Sequence, residues 1–200
     1  MSTQPSSSAA PSKKPGTRSS SPVDIAYIAV FAAIICVLGF VSIPVGAAGV
    51  PIVLQNAAAI LAGLVLGARR GPAAVAVFLL VGLALPVLAG GRTTVYALGS
   101  PTVGYLVGYL ISAAVAGALA YAGLRGTKAT RVGMFILAGY LGLFLQYLFG
   151  VFGLMFRADM TFGAAWAAQV PFLLPDAGKV ALMIAIALAV HAAFPDMRRR

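Results

Sequence analysis

Long apolar stretches recur along the chain, each closed by glycine, proline or a short basic cluster. Six can be drawn: Val23 to Val41, Pro51 to Ala68, Pro72 to Ala89, Thr102 to Leu124, Val132 to Phe156 and Ala177 to Phe194. Each is close to the roughly twenty residues that cross about 30 Å of hydrocarbon. Barrel strands would instead show segments of about ten residues with apolar and polar positions taking turns. Lipid offers no hydrogen-bond partners, so the backbone of each run must satisfy itself. The pattern therefore predicts an all-α integral membrane protein with six transmembrane helices. Residues 23–195 would form one membrane domain. Residues 1–22, rich in Ser, Pro and Ala, read as a disordered tail that cannot bury enough apolar surface to order itself, and residues 196–200 as a basic end.

Only 9% of residues are charged, 61% are apolar, and Glu is absent, far from the usage of soluble domains. A net charge of +10 would suggest nucleic acid as the partner of a soluble protein. Here the bases sit between apolar runs, so the bilayer and not a nucleic acid is the expected surrounding. Lys13, Lys14 and Arg18, then Arg69 and Arg70, then Arg125, Lys128 and Arg131, and finally Arg198 to Arg200 all fall on one side if six helices alternate. The positive-inside rule makes that side cytoplasmic, with both termini inside. Cys36 is the single cysteine, which leaves no internal disulfide to form.

The outer side then holds Arg92, Arg157, Asp159, Asp176 and Lys179. They lie in or beside the Gly- and Pro-rich stretches "SIPVGAAGVP", "LPVLAGGRTTVYALGSP" and "RADMTFGAAWAAQVPFLLP". Irregular backbone at membrane depth survives only when buried in protein or lining a cavity, so these loops are expected to fold into a cup. Arg157 and Asp159 read as a solvated pair. Small residues at four-residue spacing, Gly104, Gly108, Ser112, Ala116 and Ala120, and again Ala59, Gly63 and Gly67, would let helices approach closely. Ala29 and Ala33 repeat the spacing on the first helix, where they serve either internal packing or contact with a partner subunit.

Catalytic chemistry is poorly supplied. His191 has no Cys, Asp or Glu at ligand spacing, so no metal centre is expected, and no G-x-S-x-G elbow nominates a nucleophile. "DAGKV" ends in Gly-Lys, yet Leu173 stands where a phosphate loop needs its first Gly and Val180 where it needs Ser or Thr. No ATPase, enzymatic activity or cofactor is expected.

Asp176 and Lys179 stand three residues apart, on one helical face. Two readings are open. Asp176 caps the last helix after Pro175 while Lys179 snorkels to the interface. Alternatively both face the cup, a carboxylate for N–H donors and an ammonium for an anion, with Arg92 nearby. An ionisable group within a span costs about 2.5 to 3.5 kcal/mol at mid-bilayer and is a functional candidate by default. Gln55 and Asn56, the only amides of the second span, need partners from another helix or a ligand. Gln146 reads as a helix–helix contact, and Tyr96, Tyr105, Tyr109 and Trp166 as an interfacial belt, some of which could line the cup.

The stretches "VPIVLQNAAAILAGLVLGARRG", "LPVLAGGR", "GSPTVGYLVGY" and "PFLLPDAGK" occur together. Over Val23 to Ala193 the chain resembles the BioY family, the biotin-binding S components of energy-coupling-factor (ECF) vitamin transporters. It departs at Ser100 and Val103, where the family usually has Gly, and at Leu174-Pro175, where the family commonly has Pro-Gly before the acid. The resemblance implies a six-helix S-component fold with an outward pocket, in a prokaryotic cell membrane. It also implies biotin as ligand, with a scaffold membrane subunit and ATPase subunits as partners. Asp176 and Lys179 match the family's binding motif, which puts the ureido N–H groups at Asp176 and the ligand carboxylate at Lys179 or Arg92. The same fold would serve another small vitamin. A structural membrane protein and a lipid-modifying enzyme are the readings from other classes. The enzyme would require acids and histidines clustered at the cytoplasmic side, where Asp24, Asp196 and His191 are scattered.

Overall fold

The computed structural model describes residues 22–44 and 51–195. The expected tail with its three bases, the end holding Asp196 and Arg198 to Arg200, and the middle of "SIPVGAAGVP" lie outside the described residues. In chain order the elements are α1 (Pro22–Leu38), β1 (Ser42–Pro44), β2 (Pro51–Val53), α2 (Gln55–Ala84), α3 (Thr94–Leu98), α4 (Val103–Gly123), α5 (Lys128–Ala158), α6 (Phe162–Ala167) and α7 (Val170–Ala193). Among the described residues the fold is helical apart from the antiparallel β1–β2 pair, in which Ser42 stands across from Val53. Among the described residues, α2, α4, α5 and α7 are long and apolar enough to cross a membrane. Their outer surfaces carry exposed apolar side chains such as Leu80, Phe156 and Leu174, as a lipid-facing surface requires.

The 30-residue α2 is not one rod. Gly67 has φ 85° and ψ −178°, a conformation essentially reserved to glycine, and there the chain reverses. A side chain on Gly71 would stand 2.7 Å from the Gly63 Cα. At the far end, Gln55 Nε2 donates to the Val87 carbonyl at 2.7 Å, so limbs 55–66 and 68–84 run side by side in opposite directions.

A helix that stops leaves its last carbonyls without amide partners. Three side chains take them here. His191 Nε2 lies 3.0 Å from the Leu64 carbonyl, the Tyr121 hydroxyl donates to Val65 O at 2.9 Å, and Arg70 Nε donates to Leu66 O at 3.2 Å. A carbonyl can only accept, so His191 carries its proton on Nε2. Arg70 also pairs with Asp24 of α1 at 3.0 Å, pinning the start of α1 to the reversal.

The element at the centre is α4, packed on both α2 and α5, and two different faces of it are used. Gly104 and Gly108 meet α5: a side chain on Gly153 would stand 2.9 Å from the Gly104 Cα, and one on Gly108 would stand 2.9 Å from the Gln146 Cα. The α2 stripe meets the adjacent face instead, where a side chain on Gly63 would stand 2.9 Å from the Ala113 Cα. Close backbone approach replaces the hydrophobic effect as the source of adhesion between helices in lipid.

Several boundaries differ from expectation. α7 starts at Val170 rather than Ala177, because Pro171 lies in its first turn, where no amide bond is lost. α5 starts at Lys128 rather than Val132, its first turn capped by the Thr127 side chain. α3 and α6 are short helices within stretches expected to be irregular, capped by Thr93 and Thr161.

Candidate functional site

The early start of α7 decides the environment of Asp176. Buried positions on this helix are Phe172, Asp176, Val180, Met183, Ile184, Ala187 and His191, a stripe recurring every three or four residues, with Met183 and Ile184 side by side, that faces the bundle. Asp176 therefore stands in the second turn on the inward face, 4% exposed, and does not cap the helix; Gln169 holds that position. Its Oδ2 accepts from the Tyr147 hydroxyl at 2.8 Å, and its Oδ1 pairs with Lys179 Nζ.

Lys179 turns inward and does not snorkel to an interface. Its ammonium has three hydrogens and three acceptors: Asp176 Oδ1, the Val53 carbonyl at 2.6 Å and Asn56 Oδ1 at 3.4 Å. The β1–β2 pair thereby supplies an anchor for the lysine, and no ammonium hydrogen is left over.

Next to this cluster lies a cavity of about 70 Å³, room for several waters or part of a small molecule at roughly 10–15 Å³ per water. Asp176, Arg92, Gln55 and Asn56 all line it, together with Tyr105, Tyr109, Gln146, Tyr147 and Gln169, and apolar walls from Ile52, Val53, Leu88, Leu106 and Phe172. Lys179 stands behind Asp176 and outside the lining.

Arg92 is positioned by a tight turn. Gly90 and Gly91 have φ of 72° and 68°, conformations glycine adopts at little cost, which lets Arg92 bridge back to Leu88. Its guanidinium carbon sits 5.1 Å from the centre of the Tyr96 ring, within cation–π range. Gln55 holds this turn from below. It donates to Val87 O at 2.7 Å and to Ile35 O at 3.0 Å, and accepts from Ala89 N at 3.2 Å. Its amide thus ties the end of α1 to the loop that carries Arg92.

The aromatic residues divide. Tyr105 and Tyr109 line the cavity, the first donating to Gln169 Oε1 at 2.8 Å. Tyr96 is exposed beneath Arg92, and Trp166 stacks on Phe144 with ring centres 6.0 Å apart. The sequence alone does not single out Tyr147 or Gln169. Tyr147 belongs to a buried stripe on α5 with Leu143, Gln146, Gly150 and Leu154, and adjacent polar residues within such a stripe are the signal that could have found it. Arg157 donates to Leu98 O at 3.1 Å instead of pairing with Asp159, so it ties α3 to the end of α5. Ala29 and Ala33 are exposed on α1.

Residues 11–196 match the BioY family. The chain belongs to the BioY family. Among its relatives, the biotin transporter BioY of Rhizobium etli is 38% identical over 183 residues, covering 88% of this chain and 97% of that one. BioY of Thermotoga maritima is 36% identical, covering 80% and 90%. The fold also matches a crystal structure of the S component for biotin from an ECF-type ABC transporter. There the TM-score is 0.76 at 27% identity, covering 85% of this BioY-family chain and 91% of that structure. The relatives are transporters, and the chain is accordingly a multi-pass membrane protein of a transporter family.

Proposed function

We propose that this chain is the substrate-binding S component of an ECF-type transporter, capturing biotin at the outer face of a prokaryotic cell membrane. The observation that carries this reading is the buried Asp176–Lys179 pair beside a cavity that also holds Arg92. One acid and two bases leave a single net positive charge, the complement of a small monoanion that also offers N–H donors. Asp176 accepts a ureido N–H. Arg92, which lines the cavity, takes the valerate carboxylate in preference to Lys179, whose three hydrogens are engaged. Tyr105, Tyr109 and the apolar walls hold the fused rings, Asn56 keeps Lys179 in register, and Gln55 sets the Arg92 turn.

The two limbs of α2 count as separate passes, which makes six with α1, and both termini lie in the cytoplasm. Supporting this, Arg69 and Arg70 gather at the Gly67 reversal and Arg125, Lys128 and Arg131 at the α4–α5 turn, both at the end of the bundle away from the cavity. Energy comes from partners: a scaffold membrane subunit that meets α1 through Ala29 and Ala33, and ATPase subunits, with no cofactor on this chain. Mass spectrometry of the small molecule that co-purifies with the protein tests the reading. Biotin is expected; a different vitamin in its place would overturn the assignment.

A further inference from the structure

Gln146 lies in the middle of α5, 1% exposed, in the wall of the cavity. Its orientation is fixed by its neighbours. Nε2 is 3.0 Å from the Asn56 backbone carbonyl and 2.9 Å from Ser112 Oγ. A carbonyl only accepts, so the amide nitrogen must stand there. Ser112 gives its own hydrogen to Tyr109 O at 3.0 Å, so it accepts from Gln146 as well. Both amide hydrogens are used, while Oε1 is buried with no hydrogen-bond partner among the described residues.

A buried acceptor left alone is rare and calls for a partner not yet present. Its location says what kind. Asn56 links the two acceptors of this wall, through its Oδ1 and Lys179 to Asp176 and through its carbonyl to Gln146. What Gln146 Oε1 lacks among the described residues is a hydrogen-bond donor.

We infer that Gln146 Oε1 accepts one N–H of the bound ligand while Asp176 accepts another, so the cavity selects a compound carrying two N–H groups about one carbonyl, as a cyclic urea does. This rests on the biotin reading above and assigns the specificity for its ureido ring to a pair of residues. A site with an unpaired polar group discriminates strongly against an analogue that lacks the matching hydrogen.

Calorimetry on the full chain tests it with biotin and two isosteric carbamates, in which one or the other ureido N–H is replaced by oxygen. Wild-type protein should bind each carbamate about 10- to 100-fold more weakly than biotin, as expected for one unmet hydrogen bond. Gln146→Met should weaken biotin by a similar factor, yet bind one of the two carbamates within about threefold of wild type. Equal weakening of all three ligands by Gln146→Met would assign Gln146 a purely structural role and overturn the inference. So would a carbamate that wild type binds as tightly as biotin, a readout that does not depend on the variant folding. Failure of wild type to bind biotin at all would overturn the biotin reading itself, and the inference with it.

Discussion

Asp176 and His191 lie on one buried stripe of α7, about 22 Å apart along the helix, and they mark two ends of the molecule built on different terms. At the His191 end the break at Gly67 strands three carbonyls, and His191, Tyr121 and Arg70 each take one. Aromatic rings pack around the imidazole, Tyr121 and Phe135 both edge-on. At the Asp176 end the polar groups bond to one another as well, but around a cavity, and an acceptor on Gln146 is left over. Both ends bury polar side chains in a protein that can hardly tolerate them. At the Asp176 end those side chains line a cavity. A buried polar residue thus marks a binding site when its neighbourhood leaves room and hydrogen-bonding capacity, not because it is polar and buried.

The comparison can be broken from either end. Lys179→Met should have the largest effect, because removing one partner of a buried pair leaves the other charge uncompensated, at about 3–5 kcal/mol. Thermal melting in detergent should show the loss, and adding Asp176→Asn should recover most of it. Gly67→Ala should come next. A side chain at that backbone conformation costs about 1–3 kcal/mol, and the new Cβ would press on the Tyr121 ring, 3.1 Å away. Melting should fall with ligand affinity unchanged. His191→Phe leaves Leu64 O without its donor and should cost about 1–3 kcal/mol of stability, again sparing affinity; a change in biotin affinity here would show that the two ends are coupled. The smallest effect is expected from Tyr147→Phe, which removes one bond to the Asp176 carboxylate and should weaken biotin binding about tenfold with little change in melting.

Much of the frame is legible in the residues. Continuous apolar runs become helices because lipid leaves no alternative, and the four-residue spacing of small side chains marks where α2, α4 and α5 touch. Asp176 and Lys179 can be placed on one face by counting. Their direction cannot, because Pro171 and Pro175 read as breakers and push the expected helix start past the acid. Once α7 begins at Val170, the same count puts Asp176 on the inward stripe. Gly67 hides in a similar way: with Ala59 and Gly63 it reads as one of a stripe of small residues within a span, and only its backbone angles reveal a reversal with no loop. The spare acceptor of Gln146 is beyond reach of the sequence, since it depends on which neighbours have already used which hydrogens.

The most direct test of the central claim is calorimetric titration of biotin into the Asp176→Asn, Lys179→Met double variant, in which the pair is removed without stranding a charge. The account predicts a protein that melts close to wild type and has lost at least 100-fold in affinity, about 2.7 kcal/mol. Wild-type affinity in that folded variant would contradict it, and would make the buried pair an internal brace beside a cavity that binds by other means.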